Sequence, residues 1–427
     1  MGIYSSRRHL NLNVRGLDVS ATLGINERSK ELEDSGRIVF RMGLGQSPFP
    51  VPESVKNALI EHAHEKDYLP VRGLPELKDA VAAYHRRVDG IDHSGEDVLI
   101  GPGSKELMFI LQLVYYGDLV IPKPSWVSYA PQARIIGRNV HWVDTHQAND
   151  WHLTPEELDR YCSFDPSCPR LIILNYPANP TGRTYSETEL KDLAEVARKY
   201  GVLLLSDEIY GELHHEGKHV SIAHYYPEGT IISSGLSKWC GAGGWRIGTF
   251  LFPPGLRWLL DGMAVVSSET FTSTSAPIQY ASIRAYEGGP DIDEYLNHSR
   301  LILSALGGKL HQLMTDAGVV VSPPHGAFYM FPDLSPFREK LAGRGITNSR
   351  QICERMLEDT GVAMLPGNDF GRHENELNAR LAYVNFDGEA ALKASIASGG
   401  DLDDDWLRKW CPGPIEAIQR MGEWLNT

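Results

Sequence analysis

The chain has 427 residues, of which 42% are hydrophobic, and its formal net charge is −14. This composition predicts a globular protein with a large buried core, and the acidic balance argues against a nucleic-acid partner, which would favour a basic face. No run of about eighteen apolar residues occurs, so no membrane span is expected. The five cysteines form no Cys-x-x-Cys pair, which argues against a zinc site or a disulfide framework and favours a cytoplasmic compartment.

The predicted elements begin with a helix over about 20–35, a short strand over 38–42 and two helices over 53–64 and 75–88. From residue 98 onward, short apolar strands alternate with helical segments. Two of these helices begin with capping boxes, Thr154–Glu157 and Ser186–Glu189. The strands are predicted at 98–100, 119–121, 141–143, 171–174, 202–206, 230–233 and 249–252. Apolar strands separated by helices predict a mostly parallel sheet with helices on both faces.

The chain after residue 289 has a different pattern. A long helix over 291–317 is followed by predicted strands over 319–321, 327–331 and 380–384. The segment 399–410 carries four aspartates and is predicted to be a solvated loop, because charge runs usually indicate exposure.

We therefore predict an α/β fold with two domains. Helices sandwich a mostly parallel sheet in a large domain over 53–289, and a smaller α+β domain is built from both chain ends, 1–52 and 290–427. Ligands of such sheets bind at the carboxyl ends of the strands.

Three chemically active side chains follow predicted strands of this sheet: Asn179, Asp207 and Lys238. Each alone is compatible with a turn or a cap, and the stretch around Lys238 alone is compatible with a glycine-rich surface loop. Together they place an amide, a carboxylate and an amine at one edge of the sheet. This arrangement favours a site in which Lys238 forms a Schiff base.

A helix that starts within Gly101-Pro-Gly-Ser104-Lys105 adds an anion site to this edge, since its first amides are unpaired and partly positive. Ser104 is predicted to be its N-cap. With Arg246 these groups match the binding needs of pyridoxal phosphate: a cradle for the phosphate, a carboxylate for the ring nitrogen and a lysine for the aldehyde. Trp126 could stack on the ring or be an ordinary core tryptophan.

These motifs resemble those of the class I/II aminotransferase family, whose members are pyridoxal-phosphate enzymes of fold type I. The resemblance extends over about residues 20–386, with the motifs in family order. The most specific motifs are Asn179-Pro-Thr-Gly182, Ser206-Asp-Glu-Ile-Tyr210, and Ser237-Lys238 followed by Gly244-Trp-Arg-Ile-Gly248. The resemblance implies an aminotransferase that moves the amino group of an L-amino acid to a 2-oxo acid.

The resemblance also implies roles for individual residues. Lys238 would form the internal aldimine and shuttle the substrate proton, and Asp207 would pair with the ring nitrogen. Asn179 and Tyr210 would bind the ring oxygen. The implied phosphate ligands are Ser104, Lys105 through its backbone, Ser237 and Arg246.

For the substrate, the resemblance implies that Arg380 binds the α-carboxylate and that Gly45 closes over it, beside Trp126 and Asn179. Tyr68 corresponds to the tyrosine that reaches the phosphate of a neighbouring subunit, which implies a homodimer with shared sites. No metal, nucleic acid or membrane is implied.

Two departures from the family pattern bear on the site. Gly235 stands three residues before Lys238, where many members have a Ser or Thr phosphate ligand. The segment 267–277 lacks the arginine with which some members bind an acidic side chain. Either the donor is aromatic or aliphatic, which the missing arginine favours, or another cation such as Lys123 or Arg134 binds the acid.

Other functions are less well supported. Neither Gly241-Ala-Gly-Gly-Trp-Arg246 nor Gly43-Leu-Gly-Gln-Ser-Pro48 completes Gly-x-Gly-x-x-Gly, which argues against a nucleotide-dependent oxidoreductase. The histidines over 214–219 lack the spacing of a zinc helix and are predicted to lie in a loop. A cofactor-sensing regulator would need a DNA-binding domain, for which there is no room before Ser20. A pyridoxal-phosphate lyase, acting by β-elimination for example, remains the open alternative because it uses the same residues.

Overall fold

The computed structural model describes residues 11–17 and 21–427. The strands are β1 (Phe40–Arg41), β2 (Val98–Gly101), β3 (Asp118–Lys123), β4 (Val140–Asp144), β5 (Arg170–Asn175), β6 (Leu203–Asp207), β7 (Thr230–Gly235), β8 (Gly248–Leu251), β9 (Tyr329–Met330), β10 (Val362–Ala363), β11 (Leu365–Pro366) and β12 (Ala379–Ala382). The helices are α1 (Ala21–Asp34), α2 (Glu53–Glu61), α3 (Pro75–Val88), α4 (Ser104–Val114), α5 (Tyr129–Ile135), α6 (Pro155–Ser163), α7 (Glu187–Lys199), α8 (Arg257–Thr270), α9 (Ala276–Glu287), α10 (Pro290–Asp316), α11 (Arg338–Gly343), α12 (Ser349–Thr360), α13 (Gly388–Ala397), α14 (Asp404–Trp410) and α15 (Pro412–Asn426). Ser20, the first residue of the first predicted helix, lies outside the described residues.

The central sheet has seven strands in the order β2-β8-β7-β6-β5-β3-β4. The strands from β7 to β4 run parallel, whereas β8 is antiparallel to both of its neighbours. Every residue of β6 and β7 is buried, because helices cover both faces of the sheet. The predicted α/β fold and its mostly parallel sheet are confirmed.

Both predicted capping boxes are present. The backbone N–H of Glu157 donates to Thr154 Oγ1 over 3.2 Å, and Glu157 Oε2 accepts the Thr154 N–H over 3.0 Å at the start of α6. Ser186 and Glu189 make the same reciprocal bonds at the start of α7. Local side-chain chemistry therefore fixes where these helices begin.

A second set of strands forms two smaller sheets. β12 pairs antiparallel with β11 and β9, and β1 pairs parallel with β10, with Phe40 opposite Val362. The pairing of β1 with β10 brings segments far apart in sequence together. It supports the predicted smaller domain built from both chain ends, whose boundaries stay a prediction.

Two predicted elements differ from the structure. The acidic segment predicted as a loop contains α14, and Asp403 caps this helix by accepting the backbone N–H of Trp406 over 2.8 Å. Carboxylates at a helix N-terminus satisfy free amides and interact favourably with the helix dipole, so the acidic residues favour a helix start here. The predicted strand 319–321 is reduced to one bridge, between Val320 and Asp333.

Candidate active site

A cavity of about 560 Å³ opens at the carboxyl ends of β5, β6 and β7. It brings together all but one of the site residues predicted from the sequence: Gly45, Ser104, Lys105, Trp126, Asn179, Asp207, Tyr210, Ser237, Lys238, Arg246 and Arg380. The exception is Tyr68, which lies outside this cavity with its side chain 90% exposed.

Lys238 follows β7 and projects its amine into the cavity. Nζ donates to the backbone carbonyl of Gly45 over 2.6 Å. Burial, together with the positive charges of Arg380 and Arg246, lowers the pKa of Lys238 to about 8, although Asp207 opposes this shift. A lowered pKa increases the fraction of neutral amine near pH 7, which is the nucleophilic form.

Asp207 is the last residue of β6 and its carboxylate is buried. Tyr129 donates its hydroxyl to Asp207 Oδ2 over 2.5 Å, and Ser233 Oγ donates to Oδ1 over 3.4 Å. Burial raises the pKa of Asp207 to about 6, because the hydrogen bonds offset only part of the desolvation. A buried carboxylate that, like Asp207, has no ion pair within the described part of the chain is well suited to hold a proton on a ligand nitrogen.

Arg380, on β12, enters the cavity from the smaller sheet and is only 1% exposed. Its Nη1 donates to Asn179 Oδ1 over 3.3 Å, and Nη2 donates to the backbone carbonyl of Gly43. Its Nε has no hydrogen-bonding partner among the described residues. Burial lowers the pKa of Arg380, and no carboxylate of the described chain contributes to it. A buried guanidinium without a counter-charge favours a carboxylate ligand.

Two tyrosines connect the sheets across the cavity. The hydroxyls of Tyr210 and Tyr329 lie 2.7 Å apart, and Tyr329 donates to the backbone carbonyl of Gly45 over 3.5 Å. A Cβ atom at Gly45 would lie 1.9 Å from the Tyr329 hydroxyl. Only glycine therefore allows the N-terminal segment to approach the cavity so closely.

The predicted phosphate cradle lies where α4 begins. Ser104 is the first residue of α4 and Gly103 is the N-cap, so the predicted cap role of Ser104 is wrong by one position. The residue nevertheless lines the cavity with its N–H in the first turn, where helical amides lack intrahelical partners. Arg246 lies beside it in a left-handed conformation with φ of 54° and donates to the carbonyl of Gly243 over 2.8 Å.

A row of glycines explains one departure from the family pattern. Gly101, Gly248 and Gly235 are paired in register across three neighbouring strands. A Cβ atom at Gly248 would lie 2.1 Å from the Ser104 nitrogen, and one at Gly235 would lie 2.7 Å from the carbonyl oxygen of Ile247. The absence of a Ser or Thr at 235 therefore follows from backbone packing.

Lys105 and Trp126 form one wall of the cavity. Lys105 Nζ lies 5.1 Å from the centroid of the half-buried Trp126 ring. Burial and then the charge of Arg246 lower the pKa of Lys105, and no carboxylate of the described residues contributes to it. Trp126 also packs edge-on against Tyr129 at 5.3 Å. The ammonium of Lys105 is thus available to an anionic ligand.

Among the described residues, the charged side chains of the lining are four cations and one carboxylate: Lys105, Lys238, Arg246, Arg380 and Asp207. This imbalance favours a ligand that carries several negative charges. The lining fits pyridoxal phosphate, since it offers a helix start and a guanidinium for a phosphate, a buried carboxylate for a ring nitrogen and an amine for an aldehyde.

Several lining or supporting residues were not predicted. Asn175 accepts the N–H of Asn179 over 2.7 Å at Oδ1, and Tyr129 bonds Asp207. Both belong to segments that the sequence marks, Asn175-Tyr-Pro-Ala-Asn179 and Pro124-Ser-Trp-Val-Ser-Tyr129. Tyr329 had no such signal, because it is distant in sequence from every motif of the site.

The two cations considered for an acidic side chain lie elsewhere. Lys123 pairs with Asp144 over 3.0 Å, and Arg134 donates to the carbonyl of Arg15 over 3.1 Å. Neither lines the cavity. In the part of the chain that the structure describes, no group of three or more His, Cys, Asp or Glu residues could hold a metal ion. No helix there has the length and apolar content to cross a membrane.

Comparisons with known proteins agree with this site. The family model of aminotransferases of class I and II matches residues 37–389. An aspartate aminotransferase of Geobacillus stearothermophilus is 35% identical over 381 residues, covering 87% of this chain and 93% of that protein. An asparagine–oxo-acid transaminase of Streptococcus mutans is 31% identical, covering 88% and 94%.

Among solved structures, aspartate aminotransferase from Thermus thermophilus with maleate superimposes with a TM-score of 0.81 at 30% identity. The match covers 93% of this chain and all of that one. Fold, site and relatives agree over most of the length. The chain belongs to the aminotransferase class I and II family and is a pyridoxal-phosphate-dependent aminotransferase.

Proposed function

We propose that the cavity described above is the transamination site and that Lys238 is its catalytic residue. The observation that supports this role is the half-buried Lys238, whose amine has a lowered pKa and no acidic ion-pair partner among the described residues, in a cavity that also holds Asp207 and the start of α4. Bound pyridoxal phosphate supplies the aldehyde that accepts the amino group and the ring that withdraws electrons from the substrate. Lys238 takes the proton from the substrate α-carbon and delivers it to the cofactor.

The remaining roles follow from charge and position. Asp207 keeps the ring nitrogen protonated, while Asn179 and Tyr210 bind the ring oxygen. Arg380 binds the α-carboxylate through its buried guanidinium, whose Nε has no hydrogen-bonding partner among the described residues. The phosphate is bound by the first amides of α4 and by side chains around it: Ser104, Ser237 and Arg246.

The preferred donor is proposed to be an acidic amino acid. The relatives include proteins named aspartate aminotransferase, and the Lys105 ammonium lies in the cavity with no carboxylate of the described residues contributing to its pKa. Lys105 can therefore bind a distal carboxylate in place of the arginine missing from 267–277. Aromatic and aliphatic donors, which the missing arginine favours, bring no charge to Lys105.

A panel of amino donors tests this proposal. The full-length holoenzyme is mixed with each donor without a 2-oxo acid, and stoichiometric conversion of the cofactor to its amino form is measured by absorbance. Sustained release of ammonia and pyruvate would instead indicate the lyase alternative. Lys238→Ala should abolish turnover, and full turnover by this variant would exclude Lys238.

Substituting Lys105 tests the choice of donor. Lys105→Met should lower kcat/KM for aspartate by about tenfold, because a charged hydrogen bond contributes about 1.5–3 kcal/mol, and should leave phenylalanine nearly unaffected. Lys123→Met is the matched control, since Lys123 pairs with Asp144 outside the cavity. Equal losses with both donors would contradict selection by Lys105.

We also propose a cytoplasmic homodimer in which Tyr68 reaches the partner's phosphate site. The support is the exposure of this large side chain, 90%, and that of the apolar Ile60 nearby in sequence, 66%. Sedimentation at micromolar concentration should give twice the chain mass. Tyr68→Phe should weaken cofactor binding without changing this mass, and a monomer with full activity would overturn the proposal.

A further inference from the structure

Two consecutive carboxylates lie at the end of β6. Asp207 faces the cavity of the active site, whereas Glu208 lines a second, smaller cavity of about 80 Å³. Ser206 Oγ donates to Glu208 Oε1 over 2.6 Å, as expected for side chains two residues apart on one face of a strand. Glu208 therefore lies behind Asp207, on the opposite side of the sheet.

We call the titratable residues around the second cavity the rear cluster: Tyr84, His85, Asp89, Glu208, Glu212, His219 and Arg300. Its acids are individually paired. His85 Nδ1 lies 2.6 Å from Asp89, His219 Nε2 lies 2.8 Å from Glu208, and Arg300 forms an ion pair with Glu212. When both histidines are protonated, the rear cluster carries no net charge.

Glu208 is held in place by several hydrogen bonds. Its Oε1 accepts from Ser206 and Ser221, each over 2.6 Å, and its Oε2 meets His219. The side chain of Glu208 is only 4% exposed. These hydrogen bonds fix the position of the Glu208 carboxylate behind Asp207.

His219 is the cation beside Glu208. Its ring packs on Gly211, where a Cβ atom would lie 2.9 Å from Cδ2, and lies 5.4 Å from the Tyr176 ring. Its Nδ1 has no hydrogen-bonding partner among the described residues, so the bond to Glu208 is its polar anchor. Burial opposes a charge on this ring, but the Glu208 carboxylate outweighs burial and the pKa of His219 is raised. The other titratable groups that face it are Asp89, Glu212, His85, His214, Tyr84 and Arg300.

The charge of Glu208 matters to the active site. After burial, the negative charge of Glu208 is a further cause that raises the pKa of Asp207. An unpaired Glu208 would therefore favour protonation of Asp207, and a neutral Asp207 could not pair with a protonated ring nitrogen.

We propose that His219 is a positioning residue that acts through Glu208. The positive charge of His219 cancels the negative charge of Glu208 behind Asp207, so that Asp207 stays ionised for the cofactor. The inference rests on the proposed role of Asp207. His219 touches neither cofactor nor substrate, and its effect is electrostatic.

The test measures the dissociation constant of pyridoxal phosphate from the full-length apoprotein between about pH 6 and pH 9. His219→Gln keeps a donor to Glu208 but removes the charge. It should weaken binding about fivefold at pH 6, because a rise of about one unit in the Asp207 pKa, from about 6, lowers its ionised fraction at that pH from about a half to about a tenth. Binding should approach the wild type at pH 9. The double variant Glu208→Gln/His219→Gln removes both charges and should return to within about twofold of the wild type at pH 6.

His85→Gln is the matched control, because His85 is a buried histidine of the same cluster that pairs with Asp89. It should leave the pH profile of cofactor binding unchanged. The same change of profile in His85→Gln, or no rescue in the double variant, would overturn the proposal. His219→Asn is a second neutral replacement, and an unchanged profile in whichever neutral variant folds, as judged by thermal unfolding of the apoprotein, would also overturn it.

Asp207→Asn distinguishes a failure of the proposed Asp207 role from a failure of the His219 role. If it binds the cofactor as tightly as the wild type, the proposed role of Asp207 fails, and the role of His219 fails with it. If Asp207→Asn loses affinity while His219→Gln keeps the wild-type profile, only the role of His219 is wrong.

Discussion

The two faces of the sheet at the end of β6 differ in how charge is compensated. On the face of Asp207, four cationic side chains and one carboxylate line a cavity of about 560 Å³. On the face of Glu208, each acid of the rear cluster has its own cation or hydrogen-bond donor around a cavity of about 80 Å³.

This difference distinguishes residues suited to bind a ligand from residues that stabilise the fold. Buried charges that lack partners cost stability and persist where a ligand completes them, whereas paired charges stabilise the fold once it is formed. The large cavity is thus suited to bind an anion, whereas the paired charges around the small cavity stabilise the elements that surround it. Substitutions on the two faces should have opposite consequences.

The largest effect is expected from a pair of arginines. Arg380→Gln should lower kcat/KM by about a hundredfold or more, mainly through KM, because the two charged hydrogen bonds proposed to the substrate carboxylate are lost, each about 1.5–3 kcal/mol. The stability of the apoprotein should not fall, since an uncompensated buried charge is removed. Steady-state kinetics and chemical unfolding measure the two quantities.

Arg300→Gln is its counterpart on the other face. It leaves Glu212 without its cation and should destabilise the apoprotein by about 2 kcal/mol while changing kcat/KM less than threefold. A loss of stability in Arg380→Gln as large as that in Arg300→Gln would contradict the distinction between the two faces.

The pH dependence of cofactor uptake should reveal the state of Lys238. Its pKa of about 8 lies below the usual value, so the amine becomes neutral as the pH rises through 8. Uptake of pyridoxal phosphate by the apoprotein should therefore speed up about tenfold per pH unit below pH 8 and level off above it. Stopped-flow absorbance measures the rate. An uptake that keeps rising to about pH 10.4 would mean an unshifted amine.

The same shift has a consequence for stability. The unfolded chain binds the Lys238 proton up to about pH 10.4, whereas the folded chain releases it near pH 8. Between these values the unfolded state holds more protons, so the stability contributed by this group rises with pH across that window. Lys238→Met should lack this rise.

A smaller effect is expected from the two tyrosines that bond the neighbouring acids. Tyr129→Phe removes the 2.5 Å donor to Asp207 and should weaken cofactor binding about fivefold to tenfold. Tyr176→Phe removes the 3.4 Å donor to Glu208 and should change this affinity less than twofold. Equal losses in fluorescence titrations would show that the two faces are not distinguished by their hydrogen bonds.

The smallest effect is expected for a carboxylate that lies on neither face of the sheet. Asp403→Ala removes the N-cap of α14 and should lower the free energy of unfolding by about 1 kcal/mol. Activity and cofactor affinity should be unchanged. A change in either would mean that α14 communicates with the active site.

The sequence predicted the sheet and most of the site for a local reason. Asp207 ends the apolar strand β6 and Lys238 follows β7, and the carboxyl ends of parallel strands meet at one edge, so sequence order implied spatial proximity. Contacts between the sheets carry no such local signal. Tyr329 meets Tyr210 across 119 residues of sequence, and Arg380 meets Asn179 across 201. The resemblance predicted Arg380, whereas Tyr329 required the structure.

The sequence-based predictions that were wrong concerned charged and polar residues near helix starts. Ser104 lies one position inside α4, and the aspartates predicted as a loop cap and begin α14. Composition alone does not distinguish a solvated acidic loop from a capped helix, because both expose carboxylates. Their difference is a backbone hydrogen bond, which depends on conformation.

The glycine row has a consequence for redesign. Gly101, Gly248 and Gly235 let the first turn of α4 rest on the ends of three strands through main-chain contact. The position of the α4 amides therefore depends on the absence of side chains at these three glycines. Under the proposed roles, the side chain at 105 can be exchanged to alter donor choice while the cradle keeps its shape. Anion capture and substrate discrimination would then be separable.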